Sequence, residues 1–286
     1  MSRSRQGTLI SFRPDIKVVD CTLRDGGLVN NFAFTDEFVK DLYLANMKAG
    51  VDYMEFGYKA SSEIFNPDNF GKWKFCHEKD IRNIVGDNKT DMKISVMADV
   101  GRTDYKKDIL NRKDSVIDLI RVATYINTIP AAIEMLEDAK KKGYETTVNI
   151  MAVSKVNDED LDGGLELLAQ SSVDVIYLVD SFGAFYPEQI ERLCDKYLNV
   201  AAKYNKKIGI HAHNNQQLAF ANTIEALSRG ASYLDATVCG MGRGAGNCYM
   251  ELLLSFLRNP KYNKLAIMNF VEKHMLKLKE EGAVWG

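Results

Sequence analysis

The chain has 286 residues, 46% of them hydrophobic and 27% charged, the proportions of a soluble globular protein long enough to bury a core. Its net charge of −2 offers no cationic surface for nucleic acid or for an anionic membrane. Cys21, Cys76, Cys194, Cys239 and Cys248 form no CxxC pair, which predicts a reduced, cytoplasmic protein rather than a disulfide scaffold. No apolar run approaches the roughly 18 residues of a membrane span, and the N-terminal MSRSRQGTLISFRP lacks the apolar core of a signal peptide.

Taken in chain order, eight short apolar segments read as strands: IKVVD (16–20), DYMEFG (52–57), KISVMA (93–98), VIDLIRVA (116–123), TTVNIMAV (146–153), VDVIYLVD (173–180), KIGIHAH (207–213) and SYLDATV (232–238). Most lack clean alternation, as expected of parallel strands covered on both faces. Helical periodicity fills the intervals. TDEFVKDLYLANMKAG (35–50) has Thr35 as an N-cap and closes on Gly50. IPAAIEMLEDAKKKG (129–143), YPEQIERLCDKYLNVAAKYN (186–205) and NQQLAFANTIEALSRG (215–230) follow. Lys140, Lys141 and Lys142 stand just before Gly143, where cations suit the helix dipole.

Eight βα units in one chain predict a closed (β/α)8 TIM barrel over residues 16–257, in preference to a doubly wound open sheet. No linker interrupts the pattern, so a single domain is expected, with residues 260–286 forming a closing amphipathic helix and tail. The barrel places chemistry at the C-terminal ends of its strands. Those ends carry Asp20, Arg24 and Asp25, then Glu55, then Arg121 leading to Tyr125, then Asn149, Asp180 and Ser181, and finally His211 and His213. The eighth strand runs into CGMGRGAGN, which ends at Asn247.

The chain has only four histidines, and two stand one residue apart in GIHAHNN. In an extended segment, residues i and i+2 share a face, so His211 and His213 can reach one ion. Asp25 supplies a carboxylate and Asn247 a carbonyl oxygen, a mixed N/O set with open positions that suits Mn²⁺, Mg²⁺, Fe²⁺ or Zn²⁺. GMGRGAGN departs from the dinucleotide fingerprint GxGxxG, so no NAD site is expected. Its glycines, Gly242 and Gly244 among them, let the backbone pass close to metal and substrate or meet an anion. His77, in KWKFCHEKD, and His274, on the closing helix, read as structural; the aromatic segment itself reads as a packed surface insertion or a substrate lid.

DCTLRDGG, IRVATY, VDSFGAFYPEQI, IHAHNNQQLAFANTIEAL and DATVCGMGRGAGN occur in the order seen in the DRE-TIM metallolyases. Over residues 16–257 the chain resembles that superfamily, which includes HMG-CoA lyase, 2-isopropylmalate synthase and 4-hydroxy-2-oxovalerate aldolase. RVAT, VDSxGA and GMGxGAGN look most like the catalytic domain of the last. The resemblance implies a metal-dependent lyase or aldolase that acts on a short 2-oxo acid through a pyruvate enolate. Asp25, His211 and His213 would be metal ligands, with Arg24 against the oxo or enolate oxygen. Asp180, Ser181, Gly242 and Gly244 complete the expected substrate-binding set.

Two departures stand out. The aldolases carry a histidine three residues beyond the ligand aspartate, where this chain has Leu28, and they read VATH where it has Tyr125. Proton transfer therefore falls to Tyr125, Glu55, Tyr58, Lys59 or a metal-bound water. The C-terminal region through which the aldolases contact a channelling dehydrogenase is not expected here, and a free-standing homodimer is. The alternatives are an acetyl-CoA-dependent synthase and a non-catalytic metal-binding barrel.

Overall fold

In the computed structural model, which describes residues 10–286, eight parallel strands pair in sequence order and close on themselves. They are β1 (Lys17–Asp20), β2 (Tyr53–Tyr58), β3 (Lys93–Asp99), β4 (Leu119–Thr124), β5 (Glu145–Ile150), β6 (Val175–Asp180), β7 (Lys207–Ala212) and β8 (Tyr233–Ala236). The closing seam pairs Lys17 with Tyr233 and Asp20 with Ala236. Two helices, α1 (Thr22–Asn30) and α2 (Asp36–Ala49), lie between β1 and β2. Outside the remaining strands run α3 (Glu78–Val85), α4 (Tyr105–Asp108), α5 (Ile129–Lys141), α6 (Asp158–Gln170), α7 (Pro187–Lys203), α8 (Ala219–Arg229) and α9 (Met250–Phe256). The first nine residues, including most of the segment read for a signal peptide, lie outside the described residues. Among those described, no helix is long and apolar enough to cross a membrane.

The expected TIM barrel is thus the observed fold. The boundaries follow local chemistry. Thr35 accepts a hydrogen bond from the Phe38 amide, and Gly50, at φ 75°, donates to the Asn46 and Met47 carbonyls, so α2 starts and stops where its caps stand. The end of the chain is a helical run broken by a π turn: α10 (Lys264–Phe270), Val271–Met275, then α11 (Leu276–Glu280). It docks on α2 through Phe38 and Phe270, with ring centroids 5.1 Å apart, and through the pair between His274 Nε2 and Asp41 Oδ2 at 2.7 Å. His274 is structural, as its position on the closing helix suggested.

The segment after β1 differs from its sequence reading. TLRDGG, which the sequence reading placed only at the end of the first strand, continues as α1. Asp20 causes the turn into helix: its carboxylate accepts from the Thr22 amide at 3.2 Å and from the Thr22 hydroxyl, and Asn46 Nδ2 donates to its other oxygen at 2.7 Å.

Inside the barrel, alternation along the strands sorts inward side chains into layers. The central layer takes one residue from each even strand: Glu55, Arg121, Tyr177 and Asp235, all at most 1% exposed. Such layers are normally filled by branched aliphatic residues; here all four are polar. Gly209 on β7 makes the room, since a Cβ there would stand 2.6 Å from the Tyr177 ring.

Candidate active site and metal centre

The polar layer lies directly beneath the C-terminal mouth. Above it, β7 presents His211, and His213 follows just past the strand end, bridged to Asn247. The alternation expected from the HxH spacing is realised, with ring centroids 5.0 Å apart. Asp25 reaches them from the first turn of α1, so that Asp25, His211 and His213 each offer a ligand atom within 4.8 Å of the others. All three are buried.

Their protonation suits a cation. Burial opposes a charge on Asp25, but the Arg24 guanidinium and the two imidazoles outweigh it and hold the carboxyl well below the usual range. Burial pushes His213 down to about 4 against the pull of Asp25, so its ring is neutral near pH 7 with a lone pair to offer. His211 Nδ1 lies 3.0 Å from Asp235 Oδ2. A carboxylate only accepts, so Nδ1 is the donor of this bond and Nε2 is the ring nitrogen left to face an ion. That Nε2 is buried with no hydrogen-bond partner among the described residues. A buried ring nitrogen with no partner is costly unless an ion completes it, so the donor set fits a divalent metal.

Asn247 takes a different part from the expected one. Its Nδ2 donates to Asp25 Oδ2 and to the Met241 carbonyl at 3.0 Å, while its Oδ1 stays buried with no partner among the described residues. In this arrangement it steadies the aspartate; a half-turn of the amide would offer the same ion an oxygen. A Cβ at Gly242 would overlap the Asn247 amide and lie 2.7 Å from Asp25 Oδ2, so only glycine lets the backbone pass this close to the ligands.

A chain of alternating charges supports the cluster. Arg24 donates from Nη1 to Asp25 at 2.7 Å and from Nε to Glu55 at 2.9 Å. Arg121 donates to the same Glu55 oxygen at 3.0 Å and to Asp235 at 2.6 Å, with its guanidinium 4.5 Å above the Tyr177 ring centroid. Every candidate ligand on β7 and α1 is thereby tied to the barrel centre. Arg24 Nη2 is the remaining donor, buried and without a partner among the described residues.

The mouth opens into a cleft of about 340 Å³ lined by Arg24, Asp25, His211 and His213 together with Leu28, Tyr58, Lys74, Asp99 and Tyr125. A larger hollow of about 430 Å³ lies at the opposite end, among Lys17, Lys93, Lys207, Tyr53 and Tyr233. It is remote from the cluster, at the end of the barrel that serves stability. Tyr125 stands on the cleft rim, 54% exposed. Burial holds the Tyr58 phenol above the usual tyrosine range. Ser181 lines the cleft and accepts a hydrogen bond from the Ala152 amide at 2.9 Å.

Several expected site residues lie elsewhere. Glu55 is fully buried between two arginines, below the substrate space, and bonds to both guanidiniums there. Asp180 accepts the amides of Ala184 at 3.0 Å and Phe185 at 3.2 Å, which folds the loop after β6 and turns its carboxylate from the cleft. Lys59 is spent on the Cys76 carbonyl at 2.8 Å. From the glycine-rich loop, Arg243 rather than Gly242 or Gly244 lines the cleft. The sequence reading did not single out Lys74, Asp99, Asp235 or the bonding role of Arg121. For Arg121 a signal existed: a charged residue at an inward position in the otherwise uncharged strand LIRVAT.

A parallel eight-stranded barrel with a carboxylate and two imidazoles converging at its C-terminal mouth defines an enzyme of the TIM-barrel metallolyase class. The chain belongs to the HMGL-like family, whose model matches residues 15–275, and so to the DRE-TIM metallolyases. It is 29% identical over 250 residues to a 4-hydroxy-2-oxovalerate aldolase of Geobacillus genomosp. 3, covering 85% of this chain and 70% of that one. It is 28% identical over 245 residues to an oxaloacetate decarboxylase of Mycobacterium tuberculosis, covering 84% and 69% respectively. Among solved structures, the N-terminal domain of a candidate aldolase from Bacteroides vulgatus superposes with a TM-score of 0.82 at 30% identity, covering 95% of this chain and 89% of that one. The chain is therefore an enzyme of the DRE-TIM lyase type, similar to aldolases.

Proposed function

We propose that the protein is a divalent-metal-dependent carbon–carbon lyase that makes or breaks the bond beside the keto group of a short 2-oxo acid, as a pyruvate-releasing aldolase does. The observation that carries this reading is the Nε2 of His211, without a partner among the described residues and buried beside ionised Asp25 and neutral His213 in a cleft that Arg24 also lines. Asp25, His211 and His213 would hold the ion, and Mn²⁺ or Mg²⁺ suits their mixed carboxylate–imidazole set. When bound, it supplies a Lewis acid for the substrate's keto oxygen. Arg24, fixed by Glu55 and Asp25 on its other sides, stabilises negative charge that develops on that oxygen. Tyr58, kept protonated by burial, is suited to donate a hydrogen bond to the substrate, and Tyr125 presents its hydroxyl at the rim. The five free cysteines support a reducing, cytoplasmic setting.

A second reading is the decarboxylation of a 2-oxo acid, and Leu28 favours it. Aldol cleavage must remove a hydroxyl proton, whereas loss of CO₂ needs no base, and an apolar wall speeds departure of a carboxylate. The names of the relatives favour either lyase over an acetyl-CoA-dependent synthase. Incubation of the protein with Mn²⁺ and pyruvate in D₂O should place deuterium in the methyl group. No exchange, together with unchanged Mn²⁺ retention by Asp25→Asn, would rule out the proposal. CO₂ release from oxaloacetate without aldehyde-dependent condensation would select the second reading, and thiol release from acetyl-CoA would select the synthase.

A further inference from the structure

The aromatic segment between β2 and α3 forms a fixed wall of the cleft. Trp73 is fully buried against Phe56, with ring centroids 5.5 Å apart, and donates to the Phe34 carbonyl at 3.4 Å. Next to this anchor stands Lys74, 7% exposed and lining the cleft. Its ammonium lies 4.4 Å from the Phe65 ring centroid, 4.5 Å from Tyr58, 5.1 Å from Phe32 and 5.6 Å from Phe70. Four rings thus take the place of water around it.

Among the described residues Lys74 Nζ has no hydrogen-bond acceptor and no carboxylate within the 4.0 Å of an ion pair. Its neighbours differ. Lys72 pairs with Asp36 at 2.5 Å, and the still more deeply buried Lys59 donates to the Cys76 carbonyl. A desolvated ammonium with no acceptor is unfavourable. The electron-rich ring faces offset part of that cost and favour the charged form. Burial lowers the affinity of the amine for its proton, Asp99 raises it and Arg102 opposes Asp99. The cage therefore holds a cation on a side chain that lines the cleft.

We infer that Lys74 is a specificity-determining residue that binds a second anionic group, carboxylate or phosphate-like, on the substrate, so that the enzyme acts on dianionic 2-oxo acids. This rests on the 2-oxo acid reading above. The first carboxylate and the keto oxygen belong to the end near Arg24 and the histidines, and the second charge lies on the fragment directed toward β2. Charge-assisted contact in a dry pocket is strong and discriminating, because the partner left unpaired keeps its desolvation cost. A packing role alone makes a different demand: methionine would fill the same cage, and only stability would respond.

The test compares ligands of equal length on the Mn²⁺-loaded protein. Dissociation constants for 2-oxoglutarate, 2-oxoadipate and 2-oxo-4-phosphonobutanoate are measured by calorimetry against 2-oxopentanoate and 2-oxohexanoate. At least one dianion should bind about tenfold or more tightly than its monoanionic counterpart, and the carboxylate and phosphonate arms identify which anion the cage takes. In Lys74→Met the ratio should collapse to within about threefold, and Lys74→Arg should restore part of it. A wild-type protein that prefers no dianion overturns the inference without need of any variant, as does a Lys74→Met protein that keeps the preference. Pyruvate exchange in D₂O separates the two readings: exchange without dianion preference leaves the lyase standing and removes the role of Lys74. A protein that binds no 2-oxo acid removes both.

Discussion

Replacing Asp235 by asparagine tests whether the polar layer sets the metal centre. Asp235 Oδ2 accepts from both His211 Nδ1 at 3.0 Å and Arg121 Nη2 at 2.6 Å, so a single oxygen holds the ligand and the layer together. Burial opposes its charge, but Arg121 and His211 bring its pKa down to about 2. Asparagine can accept both bonds through its carbonyl, yet it removes the charge that assists them. A charged hydrogen bond contributes about 1 to 1.5 kcal/mol more than a neutral one, and 1.4 kcal/mol is tenfold in affinity. Loss of the proton-fixing partner of a ligating histidine costs roughly 10- to 100-fold in metal affinity. Calorimetric titration of Mn²⁺ into Asp235→Asn should therefore show a fall of about that size with unchanged stoichiometry. The fold of the metal-free protein is checked separately by its thermal midpoint. A variant that binds Mn²⁺ within about twofold of wild type would show that the Asp235 contact does not prepare His211, and the orphaned Nε2 would need another explanation.

Arg121→Met removes the one cation shared by Glu55 and Asp235; breaking such a buried pair should cost about 3 to 5 kcal/mol, read as a lower urea midpoint, and an unchanged midpoint would contradict the bonded layer. Gly242→Ala should bind Mn²⁺ far more weakly, since its Cβ would displace Asn247 and crowd Asp25; wild-type titration of the variant would sink the close-approach account. Asp20 gives a pH test: burial raises its pKa to about 6 against the bonds from Thr22 and Asn46, so the native state holds a proton that the unfolded chain lacks between about pH 6 and 4. This group therefore adds stability as pH falls through that window, up to about 3 kcal/mol. Relative to Asp20→Asn, wild type should gain urea resistance between pH 7 and 4, and a constant difference would refute the raised pKa.

What the sequence disclosed follows from how each feature is written along the chain. The strands and their order were readable because parallel strands buried on both faces are short apolar runs, as in VIYLVD and LIRVAT. The HxH pair was readable because period two is local. The helical state of TLRDGG was not, since it depends on Asp20 capping Thr22 and on Asn46 from another helix. Glu55 could be placed at a strand end, but not beneath the cleft; that requires knowing which two arginines reach it. Lys74 was hidden for the same reason, because Phe32, Tyr58, Phe65 and Phe70 come together only when α1, β2 and the following loop meet.

The charges of the layer and the cluster suggest why a polar barrel centre is tolerated at all. Asp25, Glu55 and Asp235 face Arg24 and Arg121 in one bonded chain, so three carboxylates meet two guanidiniums and leave one negative charge in excess. A divalent cation at the histidines would turn that excess into one positive charge, and the carboxylate of a 2-oxo acid would then bring the buried assembly to neutrality. Each buried ion is satisfied only when both are present, which couples metal retention to substrate affinity. Lys74 stands outside this chain, in no ion pair among the described residues and with Asp99 acting on it only at longer range, so a substrate with a single carboxylate would neutralise the layer and leave the caged ammonium open to a second anion.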